Sequence, residues 1–62
     1  MNKQKYIFGI KGHLLGEVFE TDDGFAFHHV GTDTTLAGFD SFDAAESAWV
    51  CFHEEYFENL PR

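Results

Sequence analysis

The stretch FDSFDAAESAWVCFHEEYFENL, Phe39 to Leu60, decides the fold. It reads as one amphipathic helix beginning after Ser41. At about 100° per residue, Phe42, Ala45, Trp49, Phe52 and Tyr56 fall on a single stripe, with Ala48 and Leu60 at its margins. Five such residues on one side predict packing against a sheet. Ser41 is placed to cap the free amides of the first turn, and Asp43 and Glu46 sit where the positive helix end favours acids. Pro61 and the terminal Arg62 predict the stop.

The opposite side of this helix carries Asp43, Ser47, Glu54 and Glu58, and Cys51 points outward with them. No Lys or Arg occurs between Phe39 and Leu60. Val50 and Phe57, seven residues apart, form a second apolar pair beside the acids. Two readings fit that pair. It is the desolvated centre of an interface with a polar rim, or a loop or the N-terminal segment covers it.

Upstream, the chain alternates in the manner of strands. YIFGI, Tyr6 to Ile10, is short, apolar and followed by Lys-Gly, and LLGEVFE, Leu14 to Glu20, reads as a second strand. TDDG, Thr21 to Gly24, is a turn signal. GFAFHHV then predicts a third strand, with Phe25, Phe27 and His29 on one side and Ala26, His28 and Val30 on the other. After a second turn at GTDT, TLAGF from Thr35 to Phe39 is a short fourth strand or an extended lead-in to the helix. The expected fold is α+β: an antiparallel meander of three to four strands, with one C-terminal amphipathic helix packed on one sheet face. Residues 1–62 form a single domain on this reading. Aromatic residues make up 18% of the chain, more than one helix is expected to cover. The uncovered sheet face is therefore a candidate for pairing with another copy or a partner.

Size and charge narrow the function. A chain of 62 residues buries a modest core. With Cys51 as the sole cysteine it forms no internal disulfide, and an unpaired thiol fits a reducing, cytoplasmic setting. No run approaches the roughly 18–20 apolar residues of a membrane span, nor the core of a signal peptide. The net charge of −7 is unevenly placed. Lys3, Lys5 and Lys11 precede Gly12, Arg62 is last, and all 11 acids lie between Gly12 and Pro61. Such a surface attracts basic partners and argues against direct binding of nucleic acid, which needs cations to displace counterions. Plain solubility is the other explanation of the charge.

Catalytic and metal signals are weak. His28 and His29 diverge on a strand, and Cys51 and His53 stand about 200° apart on a helix. Neither CxxC nor HExxH occurs. A site from His13, one strand histidine and a carboxylate is the remaining metal possibility. The glycines at 9, 12 and 16 lack phosphate-loop spacing and suit turns, bulges or close helix–sheet packing. No catalytic residue, cofactor or metal is expected, and the chain reads as a non-enzyme. Four histidines gaining charge near pH 6 would weaken attraction to a basic partner.

LAGFDSFDAAESAW, Leu36 to Trp49, joins a strand ending in Gly-Phe to a capped, Ala-rich helix. This join is similar to that of the AP2 and integrase arm-type DNA-binding domains, three-stranded sheets with one packed helix, over about a quarter of the chain. The resemblance implies architecture alone. Where those families place basic and aromatic residues for DNA, this chain has Glu17, Glu20, Asp22 and Asp23.

The expected function is that of a small acidic, non-catalytic binding protein that docks on a basic surface of a protein partner. Its size and charge resemble those of anti-restriction and anti-CRISPR inhibitors from phages and mobile elements, which present carboxylates in place of phosphates. The candidate partner-binding residues are Asp43, Glu54 and Glu58 with Val50 and Phe57 as anchor, and Asp22 and Asp23 in the turn. A structural or regulatory homodimer, with charge serving only solubility, is the first alternative. A sheet-based nucleic-acid-binding domain using the N-terminal lysines is the second.

Overall fold

A computed structural model describes residues 3–60. Four antiparallel strands lie in chain order: β1 (Gln4–Phe8), β2 (Leu14–Thr21), β3 (Gly24–His29) and β4 (Thr34–Phe39). One helix, α1 (Phe42–Glu58), follows and lies over β3, reaching β2 and β4. The α+β meander with a single C-terminal helix is therefore present, and the lead-in of residues 35–39 is a true edge strand.

Local chemistry explains the elements. Ser41 has extended backbone angles, and its Oγ accepts the Ala44 N–H at 3.0 Å, capping the helix. At the other end Asn59 closes the helix, its N–H donating to the Glu55 carbonyl at 3.1 Å and its side-chain amide to the same oxygen at 2.9 Å. Leu60 thus lies past the helix and is exposed, rather than bordering the buried stripe. Pro61 and Arg62, expected to end the helix, lie outside the described residues.

The first strand is shifted from its expected place. It spans Gln4–Phe8, not Tyr6 to Ile10. The Gly9 N–H donates to the His13 carbonyl and the Gly12 N–H to the Gly9 carbonyl, each at 2.9 Å, so the chain turns at once. Ile10 sits fully exposed in that turn. Across β1 and β2, Ile7 faces Gly16 but Phe8 faces Leu14, so Leu15 is an extra, bulged residue. Leu15 packs against the core. Val30, expected in the third strand, lies just beyond it in the following turn.

The alternation in β3 holds. Phe27 and His29 are buried beneath α1, and Phe25 meets Phe42 edge-on at 6.2 Å. Val18, Phe27, Ala45 and Trp49 form the buried centre, ringed by Ile7, Leu15, Phe25, Phe39, Phe42, Ala48 and Phe52. Gly16 makes this packing possible: a Cβ there would stand 2.1 Å from Trp49 Nε1 and 2.5 Å from the His28 carbonyl oxygen. The other sheet face is mixed rather than greasy. Gln4 donates to Glu17 at 2.7 Å and to Tyr6 at 3.0 Å, and His28 Nδ1 bonds Thr35 at 2.7 Å.

Candidate docking surface and histidine pair

Helix geometry decides where the acids stand. Asp43, Glu54 and Glu58 are all exposed. With about 1.5 Å of rise per residue they span roughly 22 Å of the solvent side of α1. Asp22 and Asp23 form the exposed turn between β2 and β3. That turn is at the end of the sheet where Phe25 pairs with Phe39 and contacts Phe42. Asp22 and Asp23 therefore share an end of the molecule with Asp43, while Glu54 and Glu58 lie near the opposite end. Four acids are engaged among the described residues, Asp33 with His28 at 3.5 Å and three others. Glu46 pairs with the Lys5 ammonium, Glu17 accepts from Gln4, and Glu20 accepts the Lys3 backbone N–H at 3.2 Å.

Val50 and Phe57 are 44% and 61% exposed, so neither is covered by a loop or by the described N-terminal residues. They occupy the flank of α1 that faces β1, the flank on which Glu46 reaches Lys5. Phe57 lines an open cleft of about 530 Å³ with Phe8, Ile10, Leu15, Lys11 and His13. The apolar anchor thus borders the acidic side but opens toward the β1–β2 turn.

Beneath that flank is a feature that periodicity did not reveal. His29, 1% exposed, places Nε2 2.9 Å from Nδ1 of His53. The Thr32 N–H donates to His29 Nδ1 at 3.3 Å. That nitrogen is therefore an acceptor, so the ring proton sits on Nε2 and is donated to His53, whose own proton is on its Nε2. Aromatic rings enclose the pair. Trp49 stacks on His53 at 4.8 Å, Phe57 meets His53 edge-on at 4.8 Å, and Phe52 and Tyr56 contact His29. Trp49 Nε1 donates to the His28 carbonyl at 3.2 Å, locking helix to strand. Burial, then the neighbouring His53 and His28, hold the His29 pKa below its ordinary value.

The Thr32 hydroxyl lies 3.1 Å from His29 Nδ1, a distance at which an imidazole can accept a proton. The same lone pair already takes the Thr32 N–H, and the Thr32 hydroxyl donates its proton to Thr34 Oγ1 at 2.8 Å, so the contact carries no proton to the imidazole. Cys51 is exposed on the outer side of α1 and His53 turns inward, so the two diverge. Among the described residues no three His, Cys, Asp or Glu side chains gather in a metal-binding group. No helix among them is long and apolar enough to cross a membrane.

Comparison of the chain with protein-family models, with curated proteins and with solved structures gave no match.

Proposed function

We propose that this chain is a small, non-catalytic binding protein that docks on a basic surface of a protein partner. One observation supports the reading above others. Asp43, Glu54 and Glu58 stand exposed along one side of a helix that contains no Lys or Arg. Carboxylates at fixed spacing on a rigid helix attract and orient a cationic target over a Debye length of about 10 Å. Val50 and Phe57 supply the apolar anchor, and Asp22 and Asp23 extend the field at the Asp43 end. A surface that binds nucleic-acid phosphates is the natural target. The chain then acts as a cytoplasmic inhibitor of the phage or mobile-element type, with carboxylates replacing phosphates.

The test is affinity capture from the native host with the wild-type chain and with Asp43→Lys/Glu54→Lys/Glu58→Lys. A partner retained by the wild type at low salt and lost by the triple variant supports docking. Appreciable affinity for an oligonucleotide at physiological salt, unchanged by the triple variant, sinks it.

A further inference from the structure

The cleft between the C-terminal turn of α1 and the β1–β2 turn has unlike rims. Phe8 and Phe57, each 61% exposed, and the fully exposed Ile10 converge on it above Leu15. On the strand side Lys11 lines the cleft, while Lys5, farther back on β1, is paired with Glu46. On the helix side the exposed Glu54, three residues before Phe57, stands next to it, and Glu58 is exposed farther round toward solvent. An apolar floor between a cationic and an anionic rim is self-complementary under one symmetry operation. A two-fold axis running along the cleft sets Lys11 of each copy against the helix glutamates of the other. A two-fold axis running across it sets like charges together.

We infer that a second copy of this chain occupies the cleft, forming a two-fold dimer in which Phe57, Phe8 and Ile10 of each copy cover those of the other and Lys11 faces Glu54 and Glu58 across the seam. The charge arrangement favours a second copy over a basic partner in this cleft, because Lys11 would repel the latter. The small core favours it as well. Only Gly16, Val18, Ala26, Phe27, His29, Ala45 and Trp49 are buried among the described residues, and joining apolar patches adds burial that a chain of this size lacks. A standard interface takes about 800 Å² from each partner, a minor part of the 4636 Å² surface. Because Phe57 is also the proposed anchor for a basic partner, self-association and docking exclude one another. The dimer stands without the docking reading, and only this competition rests on it.

Sedimentation velocity of the full chain across micromolar to millimolar concentration tests the dimer. Lys11→Glu alone, and Glu54→Lys/Glu58→Lys alone, each loosen self-association about tenfold or more. An equimolar mixture of these two variants regains it, since the mixed pair has opposite charges at both seams. Phe57→Ser loosens the dimer at least about a hundredfold. Trp49 fluorescence and far-UV circular dichroism verify that each variant is folded, and the mixing result does not depend on any one variant's stability. A wild type monomeric throughout, a dimer indifferent to Lys11→Glu, or a mixture no tighter than its parts overturns the proposal. With the partner captured as above, Lys11→Glu binds it at least as tightly as wild type. Failure to capture any partner counts against the docking reading and leaves the sedimentation result untouched.

Discussion

Nε2 of His29 lies 2.9 Å from Nδ1 of His53, so one hydrogen bond inside an aromatic enclosure ties β3 to α1. Its chemistry is sensitive to protons. The neutral pair shares one N–H between the facing nitrogens. A second proton sets two N–H groups against each other there, or sets Nδ1–H of His29 against the Thr32 N–H.

The first prediction concerns pH. The His29 pKa in the folded chain is below its ordinary value of 6.5, owing first to burial and then to His53 and His28. Below pH 6.5 the unfolded chain therefore binds more protons than the folded one, and stability rises with pH there. The His29 contribution is complete above the ordinary value and is lost as pH falls from it toward the folded value. Asp33 lies 3.5 Å from His28, and the Tyr56 ring packs against His29. Urea unfolding at pH 7.5 and 5.5 is expected to show a lower midpoint at 5.5. Substituting His29→Gln lowers stability at pH 7.5 but flattens the difference. An unchanged midpoint in the wild type contradicts this account.

Gly16→Ala is expected to destabilise the fold by about 1–3 kcal/mol, the usual range for overpacking. The added Cβ meets the Trp49 indole and the backbone oxygen of His28, neither of which can move without breaking the bond between them. Total stability for a chain of this length is only roughly 3–9 kcal/mol. Urea titration followed by Trp49 fluorescence reads the loss. A fully stable variant would mean that the indole packs elsewhere.

Ser41→Ala removes the acceptor for the Ala44 N–H and is expected to cost about 1 kcal/mol. Ser41→Asp keeps an acceptor and is expected to retain wild-type stability or exceed it, since a carboxylate suits the helix N-terminus. Thermal melts of the three proteins give the order. If alanine and aspartate were equivalent, the cap would contribute nothing.

For the captured partner, affinity is expected to fall as salt rises and to fall less steeply for Asp43→Asn/Glu54→Gln/Glu58→Gln, because fewer charges remain to be screened. Isothermal titration at two salt concentrations measures both slopes. Identical slopes would remove the helix carboxylates from the interface.

Much of this fold was legible because its signals are local. The spacing of Phe42, Ala45, Trp49, Phe52 and Tyr56 marked the helix, and Ser41 marked its start. Alternation through Phe25, Phe27 and His29 placed the buried side of β3. The misplaced first strand has a local cause too. YIFGI is apolar throughout, but Gly9 bonds His13 and turns the chain before Ile10. Apolarity alone does not distinguish a strand residue from one exposed at a turn.

The amino-acid sequence by itself determined the order and kind of the elements, the buried sides of α1 and β3 and the uneven charge, since the helical and strand periods are properties of a few neighbouring residues. Only the tertiary structure decided what those elements bring together. Gly16 lets Trp49 close on β2, and that contact sets the rotation of α1 over the sheet. From this rotation follow the His29–His53 bond, the outward row of Asp43, Glu54 and Glu58, and the opening of Phe57 onto Phe8 and Ile10. Each joins residues far apart in the chain, and their meeting depends on how one surface seats on another.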